Sequence, residues 1–145
     1  MASLYILVVS NNQLDRIQNG TFRGLTGLSL LYLEFNLISH LEPDAFRGLA
    51  MLETLVLSHN SLADIQAEGQ FDGLSSLKEL YVAANRLERV RNGTFAALGN
   101  SLEELHLHDN RIEWLQPGSF DGLRYLGTLS LWGNRLAQLD ERVFS

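Results

Sequence analysis

One sequence frame occurs six times along the chain, and this repeat limits the possible folds more than any other feature. The frame begins at Leu4, and its copies follow in steps of 24, 24, 25, 25 and 24 residues. The later copies begin at Leu28, Leu52, Leu77, Leu102 and Leu126. A fixed period of 20 to 50 residues is typical of solenoid proteins, in which units that are unstable alone stack to bury a shared core.

The first part of each copy predicts a short strand. Positions 4 and 6 of the frame are apolar in every copy, as at Leu31 and Leu33, whereas positions 5 and 7 vary. This period of two places both apolar side chains on one face of a strand. One such strand cannot bury that face, so the copies are expected to pair into a parallel sheet. We therefore predict a single solenoid over residues 1–145, with about six repeats.

Two invariant positions of the frame predict columns inside the solenoid. A phenylalanine stands at position 19, except that Phe71 is shifted by one residue, and we expect this column to fill the far side of the core. Position 9 is always asparagine, whose amide can satisfy backbone groups in the turn after the strand as well as its neighbours in the column. The asparagines are Asn12, Asn36, Asn60, Asn85, Asn110 and Asn134.

Composition and motifs exclude several classes of function. The chain has no cysteine, so it forms neither disulfides nor thiolate metal sites. Eleven basic and seventeen acidic residues give a net charge of −6, which disfavours binding to nucleic acid. Phosphate-binding, dinucleotide, zinc-protease and serine-hydrolase motifs are absent from the sequence. We therefore predict a protein that is not an enzyme and that needs no cofactor or metal.

The frame L-x-x-L-x-L-x-x-N-x-L-x-x-L, followed by phenylalanine and a Gly-Leu pair, resembles the typical 24-residue leucine-rich repeat. This class is familiar from Toll-like receptors, Slit, chaoptin-like adhesion proteins and lamprey variable receptors. The resemblance implies an α/β-type repeat solenoid, a horseshoe with one parallel sheet on its concave face. It also implies ligand recognition by an extracellular or cell-surface ectodomain. Such ectodomains usually carry cysteine-bearing caps, which this sequence lacks, so we expect a fragment of a longer ectodomain whose uncapped ends allow self-association.

Variable positions 2, 3, 5, 7 and 8 are expected to be exposed on the concave face or its rim, where a partner would bind. They include aromatic residues of the kind enriched at protein interfaces. On the same face, six carboxylates oppose only Lys78. This charge predicts a protein partner with a basic surface, without direct membrane insertion by this segment. The predicted partner-binding residues are Tyr32, Glu34, Phe35, Tyr81, His106, His108 and Trp132.

Two other clusters allow further interpretations. His106 and His108 stand two residues apart on one strand, a spacing that suits a metal or a pH switch but is more often found in ordinary surface histidines. A column of arginines at position 10 offers a site for an anionic group. It comprises Arg86, Arg111 and Arg135.

Two sequons favour secretion. They begin at Asn19 and Asn92, and both asparagines occupy position 16, in the loop that we expect to lie away from the strands. The sequence thus predicts a non-catalytic, extracellular protein-recognition module that acts in receptor, adhesion or matrix assembly. Two alternatives stay open: a structural spacer or designed repeat scaffold with no ligand on the concave face, and, more remotely, an intracellular adaptor.

Overall fold

A computed structural model describes residues 1–65 and 69–145 and contains ten short strands. In chain order these are β1 (Ile6–Val8), β2 (Arg16–Ile17), β3 (Leu30–Tyr32), β4 (His40–Leu41), β5 (Thr54–Val56), β6 (Glu79–Tyr81), β7 (Arg89–Val90), β8 (Glu104–His106), β9 (Trp114–Leu115) and β10 (Thr128–Ser130). The six strands with three residues form one parallel sheet in the order β1-β3-β5-β6-β8-β10. The predicted leucine-rich repeat solenoid, in which each repeat contributes one strand to a common parallel sheet, is confirmed.

The register of the sheet follows the repeat frame. Leu31 pairs with Leu7 on one side and with Leu55 on the other, and Leu80 pairs in the same way with Leu55 and Leu105. Every pair therefore joins equal positions of neighbouring copies. The two 25-residue steps leave this register unchanged, so their extra residues are accommodated outside the strands.

A continuous hydrophobic core lies behind the sheet and ends at the phenylalanine column. The leucines at frame positions 1, 4 and 6 are fully buried in the central repeats. Phe71, which the sequence places one residue out of step, stacks between Phe46 and Phe95 with ring centroids 6.4 and 6.0 Å away. The column continues to Phe22 at one end and to Phe144 at the other.

The remaining walls of the solenoid are made mainly of turns. The far side contains one 3-10 helix, Ala96–Leu98, and no α-helix within the described residues. Two parallel pairs of two-residue strands, β2–β4 and β7–β9, form a lateral wall that the sequence reasoning did not predict. Each of these strands has one buried apolar residue, at frame position 14. Nowhere in the described ranges is a helix both long and apolar enough to span a bilayer.

From the second copy onward, each asparagine of the column connects its own turn to the repeat before it. The Asn85 side-chain amide donates to the carbonyl oxygens of Val82 and Ala83 in its own repeat and of Leu57 in the preceding one, at 3.0–3.2 Å. Its Oδ1 accepts from the Leu62 backbone N–H at 3.0 Å. The sequence allowed bonds between neighbouring asparagines, but the bonds seen in the described residues run to backbone groups instead.

Frame position 8 has a left-handed backbone in every repeat. Its φ values lie between 52 and 69°. Only glycine adopts this conformation without cost, and a bulky residue there is uncommon. The residues are Asn11, Phe35, His59, Ala84, Asp109 and Gly133.

This strain gives a simple stability prediction. Ala84→Gly relieves the left-handed strain of a β-carbon at φ 52°, and we expect it to stabilise the chain by about 0.5–1 kcal/mol. The matched variant is Ala83→Gly, next to it and outside the left-handed region, which is expected to destabilise by about 0.5–1 kcal/mol. Urea unfolding measures both. A loss of stability in both variants would contradict the assigned backbone conformation.

Candidate binding face

The open side of the six-stranded sheet is the candidate functional site. We call it the sheet face, and it consists of the side chains at frame positions 3, 5 and 7, with position 2 at one rim and position 8 at the other. In the inner strands the middle residue is buried and its two neighbours are half-buried, so positions 3 and 5 point out of the core. Because the register joins equal positions, each position forms a column that crosses the repeats.

Four of the predicted binding residues form one continuous aromatic group on the last three repeats. The Tyr81 and His106 rings stack at 4.5 Å, and the His108 and Trp132 rings stack at 4.4 Å. His106 and His108 join the two stacks edge to face, with ring centroids 5.9 Å apart. We name this group the aromatic ladder.

Carboxylates border the aromatic ladder. Glu79 and Glu104 occupy directly paired positions on β6 and β8, an arrangement in which like charges repel. The Tyr81 hydroxyl donates to Glu79 at 3.2 Å, and His106 Nε2 lies 3.1 Å from a Glu104 oxygen. Burial, together with the neighbouring charge of Glu79, raises the pKa of Tyr81 above its ordinary value, so the phenol stays a neutral donor at physiological pH.

The other three predicted residues lie together on the second repeat. Tyr32 and Glu34 are half-buried on the sheet face, so the expected exposure of Tyr32, like that of Tyr81, is only partial. Phe35 at the rim is 50% exposed and stacks on His59 with ring centroids 4.3 Å apart. The structure therefore places the seven predicted residues in two separate groups, and we name this second group the rim cluster (Tyr32, Glu34, Phe35 and His59).

Sequence reasoning did not anticipate these contacts, although the frame contained the signal for them. Tyr81 and His106 both stand at position 5 of consecutive copies, and Phe35 and His59 both stand at position 8. Equal positions in consecutive copies become direct neighbours across the sheet, about 4.8 Å apart. His59 was the residue missed, because a histidine considered alone suggests no particular contact.

Several buried polar atoms at position 7 have no hydrogen-bond partner among the described residues. They are Ser10 Oγ, Glu34 Oε2 and His108 Nδ1. Buried polar atoms in native proteins are nearly always satisfied by protein, water or a ligand. These three side chains occupy the same frame position in the first, second and fifth repeats.

The charge of the sheet face is uneven, as the sequence predicted. Its cation, Lys78, pairs with Glu53 at 3.5 Å. The described ranges place no lysine or arginine nitrogen within 4 Å of the remaining carboxylates on this face. Those carboxylates are Glu34, Glu79, Glu103, Glu104 and Asp109.

The structure offers less support for the two other sites considered, a metal site at the histidines and an anion site at the arginine column. Within residues 1–65 and 69–145, no group of three or more histidine, aspartate or glutamate side chains is placed to hold a metal ion. In the arginine column, a guanidinium nitrogen of Arg135 lies 3.9 Å from the Glu113 carboxylate. This negative charge weakens the attraction of an anion to Arg135.

Both sequon asparagines are exposed and lie two residues after a lateral strand, away from the sheet face. The Asn19 backbone N–H donates to the Glu42 carboxylate at 2.9 Å, and the Asn92 backbone N–H donates to the Gln116 side-chain oxygen at 2.9 Å. The same turn therefore presents both asparagines, on different repeats.

The sequence model of one protein family matches most of the chain. The model described as leucine rich repeat matches residues 2–62 and 100–145, well over half of the chain. The chain belongs to the leucine-rich repeat family. Among curated proteins, none matches this leucine-rich repeat chain at a significant level.

Solved structures of other leucine-rich repeat proteins share the fold. A TLR13–ssRNA13 complex matches with 32% identity and a TM-score of 0.74 over all of this chain and 24% of the other. The Drosophila Toll–Spatzle complex, in its glycosylated form, matches with 25% identity and a TM-score of 0.86 over 95% of this chain and 20% of the other. An octameric complex of Latrophilin 3, Unc5D and the leucine-rich repeats of FLRT2 matches with 29% identity and a TM-score of 0.80 over 92% of this chain and 39% of the other.

These matches support the predicted resemblance to leucine-rich repeat proteins of the extracellular, Toll-like type. The chain spans between about a fifth and two fifths of the length of the chains that it matches. Because one matched structure is a complex with single-stranded RNA, exclusion of nucleic acid does not hold for this fold in general. For this chain it stays a prediction, based on the net charge of −6.

Proposed function

We propose that this leucine-rich repeat chain is a non-catalytic protein-recognition module that binds a protein partner through its sheet face. The observation that carries the proposal is the coincidence of the aromatic ladder, the rim cluster and five carboxylates without a lysine or arginine partner on one face of a regular sheet. Aromatic anchors of this kind supply much of the affinity in protein interfaces. Two of the matched structures, Toll–Spatzle and the FLRT2 assembly, are complexes with other proteins.

The aromatic and acidic groups have different roles in this proposal. Tyr32, Phe35 and Trp132 bury ring area against the partner, and the sheet holds them in place before the partner arrives, which lowers the entropy cost of binding. The carboxylates attract a basic surface and increase the rate at which the partner encounters the chain. At physiological ionic strength, salt limits the range of this attraction to about 8–10 Å. Binding is therefore expected to weaken with ionic strength mainly through its association rate.

We also propose that the module works outside the cell, in receptor, adhesion or matrix assembly, with N-linked glycans at Asn19 and Asn92. Both asparagines are exposed on turns away from the sheet face, so glycans there would leave the face free. Peptide mapping of the native protein tests this proposal. Unmodified asparagine at both sites would favour the intracellular alternative.

The binding proposal is tested by affinity capture from an extracellular extract. The parent chain is compared with the triple variant Tyr32→Ala, Phe35→Ala and Trp132→Ala, and circular dichroism first checks that both fold. We expect a partner that the parent retains and the triple variant loses, by at least 30-fold in affinity, since each hot-spot aromatic contributes about 2 kcal/mol.

A matched control is Trp114→Ala, which removes an exposed aromatic side chain from the lateral strand β9. It is expected to keep the partner. Identical capture by the parent and the triple variant, or no capture at all, would favour a structural spacer or designed scaffold with an inert sheet face.

A further inference from the structure

The sheet face is divided across the repeats into an apolar part and an acidic part, and this division indicates the kind of partner. The inference rests on the proposed function. We propose that the sheet face binds one helix of the protein partner, whose contact surface is apolar at one end and basic at the other. The helix crosses the strands, with its apolar end over the first three repeats and its basic end over the fourth and fifth.

The first argument is an exposed apolar patch on the first three repeats. Of the six side chains at frame positions 3 and 5 there, five are aliphatic or aromatic and one is a threonine. The register places Ile6 next to Leu30, and Tyr32 between Val8 and Val56. Ile6 and Val8 are 44 and 64% exposed, and the other three are half-buried. Contiguous exposed apolar patches mark interaction sites. We name these five side chains the apolar half.

The second argument is the position of the charge, most of which lies beyond the apolar half. Four carboxylates stand on the fourth and fifth repeats, two of them directly paired on β6 and β8 and two at the rims. In the described ranges no lysine or arginine nitrogen lies within 4 Å of them. The first three repeats have only Glu34 and Glu53 on the sheet face, and Glu53 is paired with Lys78. The four carboxylates, which we name the acidic half, are Glu79, Glu103, Glu104 and Asp109.

The third argument concerns the backbone of the partner. The N–H and C=O groups of the sheet are directed at neighbouring strands, so the sheet face offers only side chains. An extended segment lying across it would leave its own backbone groups without partners, whereas a helix satisfies them internally. From β1 to β8 the face spans four strand spacings, about 19 Å. A helix of about 13 residues covers this distance. Recognition of a helix by such a surface depends on anchors along one side of the helix.

The inference is tested with two stapled helical peptides of about 15 residues and identical composition. In the block peptide, leucines occupy one face of the first two turns and arginines occupy the same face of the last two turns. In the mixed peptide, the same leucines and arginines alternate along that face. NMR titration of the ¹⁵N-labelled chain at pH 7 and low salt is expected to give saturable amide shifts in β1, β3, β5 and β8 with the block peptide. The mixed peptide is expected to bind at least tenfold more weakly.

A nitroxide spin label determines the direction of the bound peptide. Attached at the arginine end of the block peptide, it is expected to broaden the amide signals of the fifth repeat most strongly. Attached at the leucine end, it is expected to broaden those of the first repeat. Absence of binding, equal binding of the two peptides, or the same broadening from both labels would overturn the inference. Concentration-dependent shifts of the apolar half without peptide would also overturn it, because a second copy of the chain would then be the occupant.

Variants of the apolar half separate its contribution from general stickiness. Ile6→Thr combined with Val8→Thr keeps branched side chains on β1 and is expected to weaken block-peptide binding at least fivefold. Leu139→Thr removes a side chain that is 58% exposed but lies outside the sheet face. It is expected to leave binding unchanged, and equal losses in the two variants would contradict the assigned patch.

Variants of the acidic half use two matched changes of charge. Glu79→Gln combined with Glu104→Gln is expected to weaken block-peptide binding at least tenfold at low salt. Glu88→Gln combined with Glu113→Gln changes the net charge equally at exposed positions next to the lateral strands β7 and β9. Its effect is expected to stay within twofold. Equal losses would mean that net charge, rather than the acidic half, attracts the peptide.

Failure of this inference differs from failure of the proposed function. If the parent captures a partner that the triple alanine variant loses, while the block and mixed peptides bind equally, the sheet face recognises a protein in another way. If no partner depends on the sheet face, the recognition function fails whatever the peptides show. The amide fingerprint of each variant confirms in either case that the chain is folded.

Discussion

Replacement of Asn85 by alanine is expected to lower the free energy of unfolding by about 3–4 kcal/mol, although the change removes only a few atoms. The side chain is 7% exposed and makes four hydrogen bonds to the backbone, two within its own turn and two to the preceding repeat. Alanine strands the Leu62 N–H, whereas the Leu57 carbonyl loses one of its two amide donors and keeps Asn60. A stranded buried group costs about 1–3 kcal/mol, and each of the other lost hydrogen bonds adds about 0.5–1.5 kcal/mol.

Urea unfolding followed by circular dichroism measures this loss, and Lys78→Ala provides the comparison. Lys78 forms a surface ion pair with Glu53, and about half of each side chain is exposed. Such pairs contribute roughly 0–1 kcal/mol. We therefore expect the midpoint to change markedly for Asn85→Ala and hardly at all for Lys78→Ala. Small changes of equal size would mean that the asparagine column does not have the structural role assigned to it.

Phe95→Ala is expected to have the other large effect, a destabilisation of about 3–5 kcal/mol. The ring is 1% exposed and lies between Phe71 and Phe120, with centroids 6.0 and 6.3 Å away. Its removal forfeits the burial of an aromatic side chain and opens a cavity in the middle of the column. Neighbouring repeats cannot close this cavity without shifting the sheet register, because the strands are already paired on both sides.

The matched variant for this prediction is Phe144→Ala, in the same column. This ring also stacks on Phe120, at 6.0 Å, but it is 55% exposed. Its loss is expected to cost less than about 1 kcal/mol, since little area is removed from solvent contact. The same urea titration separates the two variants. If Phe144→Ala proved as damaging as Phe95→Ala, stacking along the column rather than burial would be the main source of stability.

Much of the architecture was predictable because each residue of a repeat protein has a position in the frame. The alternation around Leu31 and Leu33 was enough to predict the strand and its buried face. The six copies were enough to predict a six-stranded parallel sheet. The same frame also specified that Tyr81 lies beside His106, since both stand at position 5.

Other features depended on information that the frame does not contain. Whether two neighbouring rings stack is decided by side-chain torsions, which the spacing does not determine. The lateral strand pairs arise from backbone contacts between turns, and their two-residue length gives almost no periodic pattern. The left-handed backbone at position 8 was hidden because Phe35 and Ala84 are not residues that normally indicate it. The burial of the Glu34 Oε2 atom appears only when neighbouring repeats are in place.

The unchanged register across the 25-residue steps also bears on how such a chain can diversify. Leu55, Leu80 and Leu105 stay aligned although the copies around them differ in length. An extra codon between the strands of two repeats therefore leaves the sheet face as it was. A single inserted codon inside a strand would exchange buried and solvent-facing side chains. Changes in length are thus tolerated on one side of the solenoid, while on the other side a point substitution changes one side chain of the sheet face without disturbing the register.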